Sequence, residues 1–307
     1  MGKQWDVIGT GSATVDDLLF VDHFPVQDTK QPILRSERHG GGLCATAMVA
    51  SARLGARTAF AGVLGYDDIS RWVENDLAQE GIDVSLVVHR EDARPIHAHI
   101  IVDEQVTRTI LYEVRGRIGA DDTLPDADTI RKARVLFVDD FGLVGQVRMA
   151  RAAREAGIPV VGDFEIDASS RVDDLVGLVN HLILSAGFAT RYTGIADPAE
   201  AARSLWRPDR AVVIITVGTQ GSWTYDGEHP PMHQPAFPVR AVDTTGCGDV
   251  FHGAYAASLN WNLPLMERVR FAAAAAALKA TQPGGRRGIP RREQVEAFLR
   301  ERGESNS

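Results

Sequence analysis

The chain has 307 residues, 44% of them hydrophobic, enough for one large α/β domain or two ordinary ones with a substantial core. With 33 basic against 41 acidic residues the net charge is −8, and no basic stripe interleaved with aromatics is present, which argues against a nucleic-acid partner. Neither a secretory leader nor an apolar run long enough to span a bilayer is visible, and Cys44 and Cys247 form no disulfide framework or metal spacing, so a reduced, cytoplasmic protein is expected.

Taken in chain order, "DVIGTG" (6–11) reads as a buried strand, and "DLLFVDHFPVQDTKQPILRSER" (17–38) as short strands without a crossover helix. The segments "LCATAMVASARLGA" and "DISRWVENDLAQEGI" have helical period, with "TAFAGVLG" (58–65) between them as a further strand. "IHAHIIVDEQVTRTILYEV" (96–114) alternates polar and apolar residues about a turn-like "DEQ", the pattern of an antiparallel hairpin with one wet face. Four more buried strands are expected in "RVLFVDD" (134–140), "PVVGDFE" (159–165), "HLILSA" (181–186) and "AVVIITVG" (211–218). The helix "QVRMARAAREAGIP" stops at Gly157 and Pro159. "AAAAAA" (272–277) reads as a close-packed helix and the tail "RERGESNS" as a frayed end. Strands alternating with helices specify an α/β fold with a parallel sheet. The segments that break this rhythm, about 14–38 and 95–116, are expected to build a small β-lid on a single domain spanning 1–307.

"VDTTGCGDVFHGAY" (242–255) places Asp249 directly after Gly246, Cys247 and Gly248, where a helix begins. The first amides of a helix lack intrahelical partners and carry about half a positive charge between them, so such a terminus suits an anion. Glycines let a phosphate approach and can aim successive N–H groups at one point. Asp249 would then act as general base on an attacking hydroxyl while the amides hold charge on a transferring phosphoryl group. The plainer alternative is a helix cap behind a tight turn. Asp243, Thr244, Thr245 and the long helix that follows at once favour chemistry. Cys247 sits where a thiol can be acidified, but no base is spaced to activate it, and the position asks for a small amide donor.

These residues resemble the signature of the ribokinase-like (PfkB) carbohydrate kinases, usually D-T-x-G-A-G-D, with Cys247 where alanine is commonest. "GGGLCATAMVASARLGA" (40–56) matches a second signature, "GVLGYDD" (62–68) echoes G-x-x-G-x-D, and "TVGTQG" (216–221) the T-x-G-x-x-G nucleotide loop. "ALKATQPGGRRGIP" (277–290) fits the C-terminal segment, so the resemblance covers nearly the whole chain. It implies a Rossmann-like three-layer core with a β-sheet lid, transferring the γ-phosphate of ATP to a sugar hydroxyl. By position, Asp249 would be the base and Gly246, Cys247 and Gly248 the anion hole. Asp16 in "TVDD", the backbone of Gly41 and Gly42, and Thr46 would bind the sugar. Thr216, Gly218 and Gly221, with Gly246 and Gly248, would border the nucleotide. A monovalent cation, K+, would draw on Asp243, Thr245 and carbonyls of the 281–288 loop.

Departures qualify the acceptor and the metal. Thr46 replaces the family's asparagine, and Ser185 and Phe188 stand in place of the Asn and Glu of its N-x-x-E motif. Mg²⁺ is still expected, to offset the charge of ATP, held through waters and by Asp163 or Glu165. "HQPAF" (233–237), "GDVFHGA" and "PGGRRGIP" most resemble sulfofructose kinases and their relatives, and an acidic sugar would want cations. Lys30, Arg35, Arg94 and Arg115 are available; Lys30, one of only four lysines against twenty-nine arginines, is the candidate, the others reading as solvated charges on strand edges. Rival readings are a nicotinamide enzyme built on "VIGTGSAT" (7–14), whose third fingerprint glycine is Thr14, a non-catalytic sugar sensor, and a nucleoside kinase. Unpaired lid edges predict a homodimer, with the lid closing to exclude water.

Overall fold

The computed structural model describes residues 2–105, 107–165 and 172–304. In chain order its strands are β1 (Trp5–Thr10), β2 (Thr14–Phe20), β3 (Arg35–Gly41), β4 (Thr58–Phe60), β5 (Val63–Leu64), β6 (Val88–His89), β7 (Ile96–Val102), β8 (Arg108–Glu113), β9 (Ala133–Val138), β10 (Val160–Gly162), β11 (His181–Ser185), β12 (Val212–Thr216), β13 (Ser222–Tyr225) and β14 (Met232–Gln234). The helices are α1 (Leu43–Arg53), α2 (Asp68–Gln79), α3 (Ala127–Ile130), α4 (Leu143–Glu155), α5 (Val172–Leu178), α6 (Ala186–Thr193), α7 (Pro198–Leu205), α8 (Cys247–Ser258), α9 (Leu265–Ala280) and α10 (Arg292–Glu304).

The central sheet runs β14-β13-β12-β11-β10-β9-β1-β4, parallel from β12 to β4 and antiparallel at β13 and β14. Its strands are buried on both faces because helices cover both, and alternate residues feed two cores. Val7, Val135, Phe137, Ile183 and Ile214 face a core with residues of α1, α2, α8, α9 and α10. Ile8, Leu136, Val138, Leu182, Leu184 and Ile215 face the other, with α4, α5, α6 and α7. This is the three-layer α/β architecture expected from the alternation of strands and helices.

A second sheet, ordered β3-β2-β7-β8, is drawn from two separate chain segments. The 96–114 hairpin pairs His97 with Glu113 and Val102 with Arg108, and β2 joins β7 in parallel, a pairing that no local pattern announces. Two expectations change. The run 58–65 is not one strand: β4 stays in the central sheet and β5 pairs with β6. Between them Gly62 lies so close to the Phe60 ring and to Gly11 O that a Cβ would stand 2.6 Å from Phe60 Cε1 and 2.8 Å from that oxygen. The tail is not frayed from residue 300, because α10 continues to Glu304, anchored by buried Phe298 beneath the Arg302 guanidinium at 3.9 Å; the last three residues lie outside the described ones.

Candidate active site

The C-terminal ends of β1, β9 and β10 meet where the sheet order reverses, the chain leaving β1 for β4 on one side and returning to β9 on the other. Open α/β sheets bind ligands at such switch points. Gly11, just past β1, lies against Asp139, and a Cβ there would collide with the carboxylate. Asp139 accepts hydrogen bonds from Ser12 N (2.7 Å), Ser12 Oγ (2.9 Å), Phe141 N (2.9 Å) and Gln146 Nε2 (3.0 Å). The glycine of "VIGTGSAT" thus seats a carboxylate, and the chain runs on into β2 without a crossover helix, which leaves the nicotinamide reading without a phosphate cradle.

Across the crevice, α8 begins at a left-handed Gly246 (φ 78°), where a Cβ would stand 2.6 Å from Gly285 O; glycine fits both the dihedral and the contact. Asp243 pins this turn, with Oδ1 accepting from Thr245 N and Oδ2 from Gly284 N, each at 2.9 Å. The Cys247 N–H donates to Thr244 O at 3.1 Å, whereas those of Gly246, Gly248 and Asp249 have no acceptor among the described residues. The free donors are therefore 246, 248 and 249, not the run 246–248, because the turn that starts the helix engages the middle amide. The Cys247 thiol is half-buried against Ala276 O (3.5 Å), and burial pushes its pKa up, so it is no ready thiolate.

Asp249 itself is half-buried and its carboxylate accepts no hydrogen bond from a described residue. Burial first, then the negative charges of Asp163 and Glu165, hold its pKa well above the ordinary carboxylate range, against smaller pulls from His252 and Arg286. On the facing side, β2 and β3 bring Asp16 and Gly41 together: a Cβ on Gly41 would lie 3.1 Å from Asp16 Oδ2. Gly42 (φ 94°) precedes α1 with Ala13 Cα only 2.7 Å from where its Cβ would be. Thr46, buried in the first turn of α1, accepts from Arg286 Nε at 3.2 Å.

A helix-start carboxylate beside amides without acceptors, with a second carboxylate on a separate sheet within the field of the same Arg286 guanidinium, would suit phosphoryl transfer. The sequence matches the model of the pfkB family carbohydrate kinases over residues 7–292. The chain belongs to that family. The kinase is 28% identical over 298 residues to a ribokinase of Haemophilus influenzae, with 94% of this chain and 96% of that protein covered. It is 27% identical over 301 residues to a bifunctional ribokinase/ribose-5-phosphate isomerase A of Fructilactobacillus sanfranciscensis, spanning 94% of its own length but only 55% of that protein. The structure of an Arabidopsis thaliana ribokinase complexed with ribose and ATP superposes with a TM-score of 0.85 at 23% identity, covering 97% of this chain and 99% of that one.

Within the kinase, Thr216 ends β12, and Gly218 (φ 57°) and Gly221 (φ 97°) bend the loop that follows. A Cβ on Gly218 would meet nothing within 4 Å, so the loop surface is open there, whereas one on Gly221 would collide with Gln234 O. The replaced N-x-x-E positions have structural duties: Ser185 Oγ caps α6 by accepting from Phe188 N (3.2 Å), and Phe188 is core. Near Asp249 lie Asp163 and Glu165, past the end of β10. Asp163 Oδ2 is buried with no hydrogen bond among the described residues, His252 Nδ1 lying 3.3 Å away, and burial with the charges of Glu165, Asp140 and Asp139 pushes its pKa well up. Such a carboxylate cluster fits a bound divalent cation.

The cationic candidates fall differently from expectation. Lys30 is exposed in the β2–β3 loop and forms no hydrogen bond or ion pair with a described residue. Arg35 pairs with Glu37 and stacks on Phe20, while Arg94 and Arg115 both face Glu113 (3.7 and 2.7 Å). The cations that do reach the site are Arg286, Lys279 and Arg108. Lys279, fully buried in α9, donates from Nζ to Asp243 O at 2.8 Å, and Arg108 of β8 donates from Nη1 to Thr245 Oγ1 at 2.9 Å. Two of the three carried a faint signal: Lys279 is the lone cation in an alanine-rich run, and Arg286 a cation inside a glycine-rich loop.

Proposed function

We propose that the kinase transfers the γ-phosphoryl group of ATP to a hydroxyl of a ketose-like or furanose sugar. The observation that carries this is Asp249: a carboxylate with a raised pKa and no hydrogen-bond donor among the described residues, at the head of a helix where the amides of Gly246, Gly248 and Asp249 likewise have no acceptor among them. Asp249 takes the hydroxyl proton, and the N–H groups of Gly246, Gly248 and Asp249 meet the charge that develops on the phosphoryl oxygens. Asp16 and the Gly41–Gly42 backbone orient the sugar, and the open loop at Thr216, Gly218 and Gly221 takes the nucleotide. Asp163 and Glu165 would hold Mg²⁺, which neutralises triphosphate charge when bound.

Potassium fits the residues less well. Both Asp243 carboxylate oxygens already accept main-chain N–H groups, its carbonyl accepts from the Lys279 ammonium, and Thr245 Oγ1 accepts from Arg108. The turn has a built-in cation, so turnover in choline chloride should match that in potassium chloride; a strict requirement for potassium would overturn this reading.

The deciding experiment is acceptor-dependent ADP release across sugars, sugar acids, sulfosugars and nucleosides, for wild type and Asp249→Asn. The variant should lose about 10²- to 10⁴-fold in turnover while still binding the acceptor. Equal rates in the two proteins would remove Asp249 as base, and tight binding without turnover in the wild type would identify a sensor.

A further inference from the structure

Arg286 is 8% exposed, comes from the loop after α9, and enters the acceptor side of the site. Its Nε donates to Thr46 Oγ1 (3.2 Å), Nη1 to Asp76 Oδ2 (2.7 Å) and Nη2 to Gly41 O (2.6 Å). A guanidinium has five N–H donors, so one on each terminal nitrogen has no acceptor among the described residues. Buried donors without partners are costly and uncommon. Two of its three partners, Gly41 and Thr46, are residues assigned to the acceptor on independent grounds. Its charge is also felt by Asp16 and Asp249, the two carboxylates assigned to the reaction under the proposed function.

We infer that Arg286 is an anion-reading residue and that the acceptor carries a carboxylate, phosphate or sulfonate which the two free N–H groups of Arg286 bind. The inference rests on the kinase reading for the location of the acceptor. An uncharged sugar could offer these donors only neutral hydroxyl oxygens and would leave the buried charge unmatched. An anionic sugar completes them with charge-assisted bonds, and it also needs such a cation, because Asp16 and Asp249 would otherwise repel it. Asp76 meets only part of the guanidinium's donor capacity. The threonine at 46 belongs to the same arrangement, since its hydroxyl receives Nε and holds the fork in place.

The test is calorimetric binding without nucleotide. D-gluconate is compared with D-glucitol, and fructose 6-phosphate and 6-deoxy-6-sulfofructose with D-fructose, for wild type, Arg286→Lys and Arg286→Met. At least one anionic probe should bind the wild type roughly 10-fold or more tighter than its uncharged parent, and which one does so separates carboxylate, phosphate and sulfonate. Arg286→Met should bring that ratio close to one, whatever it does to the affinity for the uncharged parent, and Arg286→Lys should keep part of it. Uncharged sugars binding the wild type as tightly as every anionic partner, or equal losses on both in Arg286→Met, would overturn the inference. If Arg286→Met does not fold, the wild-type and Arg286→Lys ratios decide. Arg286-dependent binding with no ATP turnover on any probe would sustain the inference and sink the kinase reading.

Discussion

Asp139 and Asp249 are both carboxylates with raised pKa values, and their surroundings set opposite duties. Asp139 accepts four hydrogen bonds that tie Ser12, Phe141 and Gln146 to the strand ends; burial and Asp140 push its pKa up to about 7. Its folded value lies above the ordinary 3.8, so the folded state holds more protons between the two. The stability from this group is complete below the lower value and lost as pH rises through the higher one. Asp139→Asn should flatten the fall of the melting midpoint across that window; an unchanged slope would remove Asp139 as its source. Asp249, the proposed base, accepts no hydrogen bond from a described residue. Only its ionised form is a base, so kcat/KM for the acceptor should climb with pH through its raised pKa. Removing a neighbouring negative charge with Glu165→Gln stabilises the carboxylate and should move that limb to lower pH. A limb that stays in place would mean another group controls it.

At the level of elements, the start of α8 is positioned by its packing on α1. Gly253 touches the backbone of α1 so closely that a Cβ would collide with Ala47 O, and Ser51 Oγ donates to Gly253 O at 2.8 Å. Gly253→Ala must push the helices apart at a cost of about 1–3 kcal/mol, and should lower turnover as well as the melting midpoint because the proposed donors and base ride on the same helix. A variant with wild-type stability would show that the helices yield freely there. In the same way the aspartate of "GVLGYDD" works through an element: Asp67 Oδ1 caps α2 by accepting from Ile69 N (2.9 Å) and Ser70 N (3.0 Å), and α2 carries Asp76 to Arg286.

On the scale of the whole molecule, we read the four-stranded sheet as a lid of the single domain. Its edge strand β8 reaches the turn before α8 through Arg108, which donates to Thr245 Oγ1 and shares one sheet face with Ile110 and Tyr112. Ile110, Leu111 and Tyr112 are 56%, 59% and 70% exposed on that edge, a liability that pairing with a second copy removes. The proposed homodimer should dissociate in Tyr112→Asp, read by sedimentation; a wild type that sediments as a monomer would refute it. Among the described residues no helix is long and apolar enough to cross a membrane.

What the chain determined unaided was whatever depends on neighbours in sequence: periodicity, turn chemistry, and the glycines before Asp249, which need only a helix start to become an anion site. Pattern reading therefore reached the three-layer architecture, the 96–114 hairpin and the family to which the chain belongs. Contacts between distant segments were decided only by the fold. Arg286 meets Thr46 across 240 positions and Arg108 meets Thr245 across 137, and no local pattern shows either partner. Lys30, singled out by the scarcity of lysine, proved to be such a surface charge, while Lys279 was buried under the motif. A side chain's burial and partners, which decide whether its charge is solvated or available to a ligand, belong to tertiary packing.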